Sequence, residues 1–156
     1  MRPTAVIMAT TMIIAAESLT CLPAAETPCL LFEVRRAQRE PADGLLKAEV
    51  PGSKRQVIYL YPSSELSNAD VDEATAGKTE FGQVAIDIIF TEAGARKFSE
   101  LSAAHRNHPV AFLIDGKVVC APVIQSRLGK QAQIFGEFTE AEAERIAAGI
   151  LSRPSP

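Results

Sequence analysis

Asp115-Gly116 stands between the apolar run Val110–Ile114 and a second short run, Lys117–Cys120. A two-residue connection of this composition specifies a β-hairpin. The right-handed twist of paired strands requires positive φ at both turn residues, and Asp and Gly accept it at small cost. The five residues before the turn are apolar without interruption, as expected of a strand covered on both faces. Whatever the chain folds into must therefore contain this hairpin in its interior, with the returning strand beside it. Pro122 has no backbone donor, so that strand must reach an edge or a bulge there.

Capped helices flank the hairpin on both sides. Val84, Ile86, Ile88 and Phe90 alternate with Ala85, Asp87 and Ile89, the two-residue period of a strand. Thr91 then caps a helix that carries Phe98, Leu101 and His105 on one face, with Ala95 and Ala104 beside them. Gly94 weakens this helix by ~1 kcal/mol relative to Ala, which predicts a close neighbour. Pro109 ends it. After the hairpin, Gln131–Phe138 reads as a strand in which Gly136 marks a bulge or a tight approach. Thr139 caps a second helix, with Glu142 completing a capping box. Ala143, Ile146, Ala147, Ile150 and Leu151 follow at helical spacing. Phe90-Thr91-Glu92-Ala93 and Phe138-Thr139-Glu140-Ala141 are the same tetrapeptide, each at a strand-to-helix junction. Thr caps, and Glu meets the positive end of the helix dipole.

Upstream the pattern is weaker. Leu30–Arg36, Leu45–Val50 and Gln56–Tyr61 read as strands. Pro41, Asp43-Gly44 and Pro51-Gly52 mark turns. Pro62–Asn68 reads as a loop, and Val71–Thr75 as a short extended segment. The expected fold is α+β, an antiparallel sheet with two helices packed on one face. The expected divisions are a leader over 1–25, N-terminal strands or linker over 26–56, a domain over 57–151 and a tail over 152–156.

With 156 residues, 47% apolar and 22% charged, the chain suits one packed domain. A formal net charge of −3 gives no reason to expect nucleic acid. The absence of Trp, with 7 Phe and 2 Tyr, argues against base-stacking platforms. Arg2 followed by the uncharged run Ala5–Ala16 has the pattern of an export signal. The run is shorter than the ~20 residues of a bilayer span. Small residues favour a cut after Ala24 or Ala25, with Ala16 as the alternative. An uncleaved anchor is the alternative reading of this run; the expected location is the periplasm or the exterior, with no membrane span once the signal is removed. Such a cut removes Cys21 and leaves Cys29 and Cys120. Two readings of this pair stay open: one disulfide tying the start of the mature chain to a core strand, or a buried Cys120 with an unpaired Cys29.

Catalytic machinery is not visible. His105 and His108 sit three apart at a helix end, with no further ligand spaced to complete a metal site, and read as a polar helix terminus. Gly129-Lys130 lacks the upstream Gly and following Ser or Thr of a phosphate loop. Asp70, Asp72 and Glu73 form a small acidic cluster, expected to be a solvated face rather than a calcium site. No catalytic residue, metal or cofactor is assigned.

The segment Phe112-Leu113-Ile114-Asp115-Gly116-Lys117-Val118-Val119-Cys120-Ala121-Pro122-Val123-Ile124 resembles the hairpin of the head subdomain in the first large periplasmic domain of SecD. That family favours an apolar run, Asp-Gly-Lys-Val, and then Ser-Ala-Pro-Val-Ile. Gly129, Gln133-Ile134, Gly136, Phe138-Thr139, Glu142-Ala143 and Ala147 are similar to its downstream pattern. Ile86–Phe98 is similar to its upstream strand and helix. The resemblance spans roughly Phe81–Leu151. Cys120 departs from the usual Ser, and Lys130 falls in a region that is often Gly-rich. The matching residues Asp115, Gly116, Pro122, Gly129, Gly136, Thr139 and Glu142 are expected to be structural.

SecD is a multi-pass membrane protein that works with SecF and uses the proton gradient to help draw preproteins out of the translocon. Here no segment beyond the leader could span a membrane, so only the polypeptide-handling part of that role can carry over. The resemblance thus implies a non-catalytic, exported module that binds unfolded or extended polypeptide. The alternatives are a head domain repurposed for one folded envelope protein, and a small secreted enzyme.

Overall fold

The computed structural model describes residues 28–52, 54 and 56–152. The expected leader over 1–25, and all of the tail except Ser152, lie outside them. The chain runs β1 (Phe32–Gln38), β2 (Leu46–Val50), β3 (Gln56–Ser67), a 3-10 turn (Asn68–Asp70), β4 (Val71–Lys78), β5 (Val84–Phe90), α1 (Glu92–Ala104), β6 (Val110–Ile114), β7 (Lys117–Cys120), β8 (Gln131–Phe135) and α2 (Glu140–Leu151). The α+β class holds, with antiparallel strands and two helices. The strands form two sheets where the sequence suggested one. Five strands order as β2-β3-β1-β6-β7, and three as β4-β5-β8. The β5–α1–β6 passage carries the chain from the small sheet to the large one. Strand periodicity reports which residues face inward, but not which strand lies alongside.

Asp115 and Gly116 have φ of 50° and 75°, so the turn has the expected handedness. Ile114 pairs with Lys117 across it. All five residues of β6 are buried. β7 is an edge strand with a register shift opposite Phe112–Leu113, the setting that Pro122 requires. β3 runs on through Pro62 to Ser67, beyond the loop expected there. Pro62 falls where the β1 register jumps from Ala37↔Leu60 to Arg35↔Ser64. The bulge spares it a ladder bond. β4 likewise extends to Lys78, and β8 stops at Phe135 rather than Phe138.

One core joins both sheets and both helices. Phe32, Val34, Phe112 and Ile114 of the large sheet share it with Ile86, Ile88 and Phe90 of the small one, Phe98 and Leu101 of α1, and Ala143, Ala147 and Ile150 of α2. A smaller cluster of Ala37, Ile58, Leu60, Ala111, Leu113 and Val118 fills the other face of the large sheet. Its edge strands β2 and β7 come into contact, so the sheet curls over this second cluster.

Candidate docking surface

Both helices bury their apolar faces on one side of the three-stranded sheet, against Ile86, Ile88 and Phe90. Alternation along the strands then leaves the opposite side to solvent. Register defines that side in three cross-strand rows: Gly77–Ala85–Phe135, Thr75–Asp87–Gln133 and Glu73–Ile89–Gln131. The first row has a small-residue floor, in which Ala85 is 1% exposed. Phe135 stands at its edge, 45% exposed. The β4–β5 turn holds Phe81 at the same end of the sheet, 90% exposed.

That turn is ordered. Thr79 N–H donates to the Gln83 carbonyl at 2.9 Å, and Gly82 N–H to the Thr79 carbonyl at 2.9 Å. Gln83 N–H reaches Thr79 Oγ1 at 3.2 Å. Gly82, at φ 76°, supplies the left-handed residue. The fixed turn thus holds the Phe81 ring almost wholly in water, at the same end of the sheet as the half-exposed Phe135. Phe81 and Phe135 line a shallow depression of about 440 Å³ with Lys78, Thr79, Glu80, Gln83 and Gln133. A second, of about 470 Å³, continues it over Asp87, Ile89, Gln131 and Gln133. Gln133 Nε2 donates to Asp87 Oδ1 at 2.8 Å between the two.

The chain enters the domain at the far end. Leu30 N–H donates to the Gly149 carbonyl at 3.0 Å, and Asn68 Nδ2 bridges the Leu30 and Ile150 carbonyls. The start of α2 is tied instead to the Phe81 end, through the Lys78–Glu140 ion pair. The helix has 12 residues, so about 18 Å separates the entry strap from the aromatic end.

Asp115 supplies the turn, and its carboxylate also accepts from Leu31 N–H at 2.8 Å. The Pro122 carbonyl accepts from Val110 N–H at 3.0 Å. Gly136 lies under the Phe138 ring, where a Cβ would collide. Thr139 and Glu142 form the expected capping box. Hydrogen bonds from the Thr139 backbone and side chain hold the Glu142 carboxyl below its ordinary pKa. Gly129 has open space around it, and nothing in the structure explains a preference for glycine there.

Cys29 and Cys120 are both free thiols, so the structure does not join them. Cys29 Sγ lies 2.8 Å from the Ser152 carbonyl. Burial pushes the Cys120 thiol up to about 11, against a smaller opposing effect of a hydrogen bond from the Phe135 backbone. His105 ends α1, its Nε2 3.0 Å from the Ala37 carbonyl, and its ring lies 5.0 Å from that of His108. Asp70 is not part of a solvated acidic face. It is 5% exposed and pairs with Lys97 at 2.7 Å. The sequence signals an exposed Phe81 only through its setting, a lone Phe between Glu80 and Gly82. No group of three or more His, Cys, Asp or Glu gathers as a metal site among the described residues, and no helix among them is long and apolar enough to cross a membrane.

Comparison with known proteins adds a family. The model for "SecDF, P1 head subdomain" matches residues 44–152. The SecD translocase subunit of Magnetococcus marinus is 32% identical over 124 residues, covering 73% of this chain and 24% of that protein. SecDF of Thermus thermophilus is 36% identical over 92 residues, covering 58% of this chain and 12% of that protein. The chain thus spans a quarter or less of these relatives. A crystal structure of SecDF in a super-membrane-facing form superposes with a TM-score of 0.66 at 27% identity, over 80% of this chain and 19% of the other. A structure of SecDF described as a membrane component that enhances protein export gives 0.64 at 22% identity, over 80% and 63%, a likeness of fold.

Proposed function

The chain belongs to the SecDF P1 head-subdomain family, and from that premise we propose that it is a non-catalytic module that engages extended or unfolded polypeptide and assists protein export. Its place in this reading is outside the cytoplasm, on the strength of Arg2 and the apolar run Ala5–Ala16. One observation carries the polypeptide assignment: the open face of the three-stranded sheet, with Phe81 90% exposed at its end. A shallow, solvent-open face suits a partner that varies in sequence. A small-molecule site would be concave and enclosed.

The absence of Trp makes the test simple. A Trp-bearing polypeptide kept unfolded by reduction and carboxymethylation reports binding through its own fluorescence. The expected result is saturable binding of the unfolded form, weakened by Phe81→Ala, and little binding of the same polypeptide when folded. Failure to bind the unfolded form would end this reading, and preference for a single folded envelope protein would replace it.

A further inference from the structure

The same face has a charge pattern that narrows its ligand. Glu73 and Asp87 project from its rows, and Glu80 adjoins Phe81 in the turn; all three are exposed. None of the residues in the three rows is basic. Lys78 pairs across the strands with Val84, on the core side, and is engaged by Glu140. Lys130, just before β8, reaches Glu92. Among the described residues, the one cation that lines the two depressions is Lys78, and its pairing with Glu140 leaves the acidic groups of the face without a neutralising partner. Apolar elements alternate with them: Phe81, Phe135 and Ala85 at one end, Asp87 in the middle row, and Ile89 beside Glu73 in the third.

Successive rows lie two residues apart along β5, ~6.8 Å for a strand. Side chains on one face of any extended polypeptide repeat at the same ~6.8 Å interval. We propose, resting on the polypeptide-binding reading above, that this face selects extended segments presenting an apolar, a basic and an apolar side chain at every second residue. The apolar groups seat between Phe81 and Phe135 and over Ile89, and the basic group meets Asp87, with Glu73 and Glu80 adding to the field. Carboxylates opposite an acidic segment would repel it, so the face discriminates as well as attracts.

Two peptides test this, each with one terminal Trp and the same alternating Leu and Ser residues, one carrying Lys and the other Glu at the central facing position. The full chain is titrated with each at low and high salt, alongside the carboxymethylated polypeptide. The Lys peptide is expected to bind about tenfold or more tightly than the Glu peptide at low salt, with the gap closing as salt rises. The variant Glu73→Gln, Asp87→Asn, Glu80→Gln should bring the two within about twofold while keeping the fold, since all three groups are exposed. Equal affinities in the native chain would overturn the charge selection and leave polypeptide binding standing. Discrimination that survives in the neutralised variant would place it elsewhere and overturn the assignment to this face. Binding of none of the three ligands would remove the underlying reading.

Discussion

Gly94 occupies the first turn of α1 directly against the backbone of Asp70. The Asp70 carbonyl is fixed there by Thr91 N–H at 2.9 Å. Its carboxylate is held by Ser67 N–H at 3.0 Å and by Lys97 at 2.7 Å. A methyl group at position 94 would run into that carbonyl, with no flexible side chain to move aside. Helix propensity favours Gly94→Ala by ~1 kcal/mol, whereas overpacking of this kind costs ~1–3 kcal/mol. The clash should win, so urea unfolding is expected to show a lower midpoint for Gly94→Ala; a higher one would mean that the contact yields. Asp115 offers a second contrast. Asp115→Ala gives up the bond to Leu31 N–H and puts a methyl side chain at φ 50°, together a loss of ~2 kcal/mol. Asn accepts both the φ and the bond, and should stay within ~0.5 kcal/mol in the same assay.

At the scale of elements, the two Phe-Thr-Glu-Ala junctions differ in a way that pH exposes. Thr91 accepts from Gly94 N–H at 3.1 Å but has no acid three residues on. Thr139 has Glu142, whose Oε2 accepts from the Thr139 N–H at 2.8 Å and Oγ1 at 2.9 Å. These donors favour the ionised carboxyl and hold its pKa below the ordinary 4.5. Their stabilisation is complete above that value and disappears as pH falls through the lower, folded one. Glu142→Gln keeps a capping side chain without the charge. The native chain should therefore lose stability relative to this variant only on the acid side of 4.5, read as a difference between their denaturation midpoints. Parallel curves down to strong acid would contradict this. Both caps were legible because capping is local chemistry, written within four residues. The continuation of β3 through Pro62 was not, because the bulge that accommodates Pro62 is made with β1, distant in sequence. Burial of Asp70 was hidden for the same reason: its partner Lys97 lies 27 residues away. Asp87 marks the polar face of β5 in the sequence, but the pairing that sets Phe135 and Gln133 beside it comes from β8, distant in sequence, so the docking face as a whole was not legible.

Across the whole molecule, two sheets depend on one ring. Phe98 of α1 is 1% exposed. Its ring lies 4.9 Å from that of Phe90 in the small sheet and 6.3 Å from that of Phe112 in the large one. Phe112 in turn meets Phe32 at 6.4 Å. Among the described residues the sheets share no strand pairing, so this aromatic chain and the apolar residues around it are what make them fold together. Phe98→Ala opens a cavity at the junction and should cost ~3–5 kcal/mol. The two Tyr residues, Tyr59 and Tyr61, both lie in β3, so their fluorescence follows the large sheet, while far-ultraviolet dichroism follows α1 and α2. In the native chain both signals should report one transition at the same urea concentration. In Phe98→Ala both midpoints should fall together if the shared core is what couples the sheets. A Tyr transition that stays in place while the helical signal shifts would show instead that the large sheet is held by its second cluster alone, independently of the face proposed to carry polypeptide.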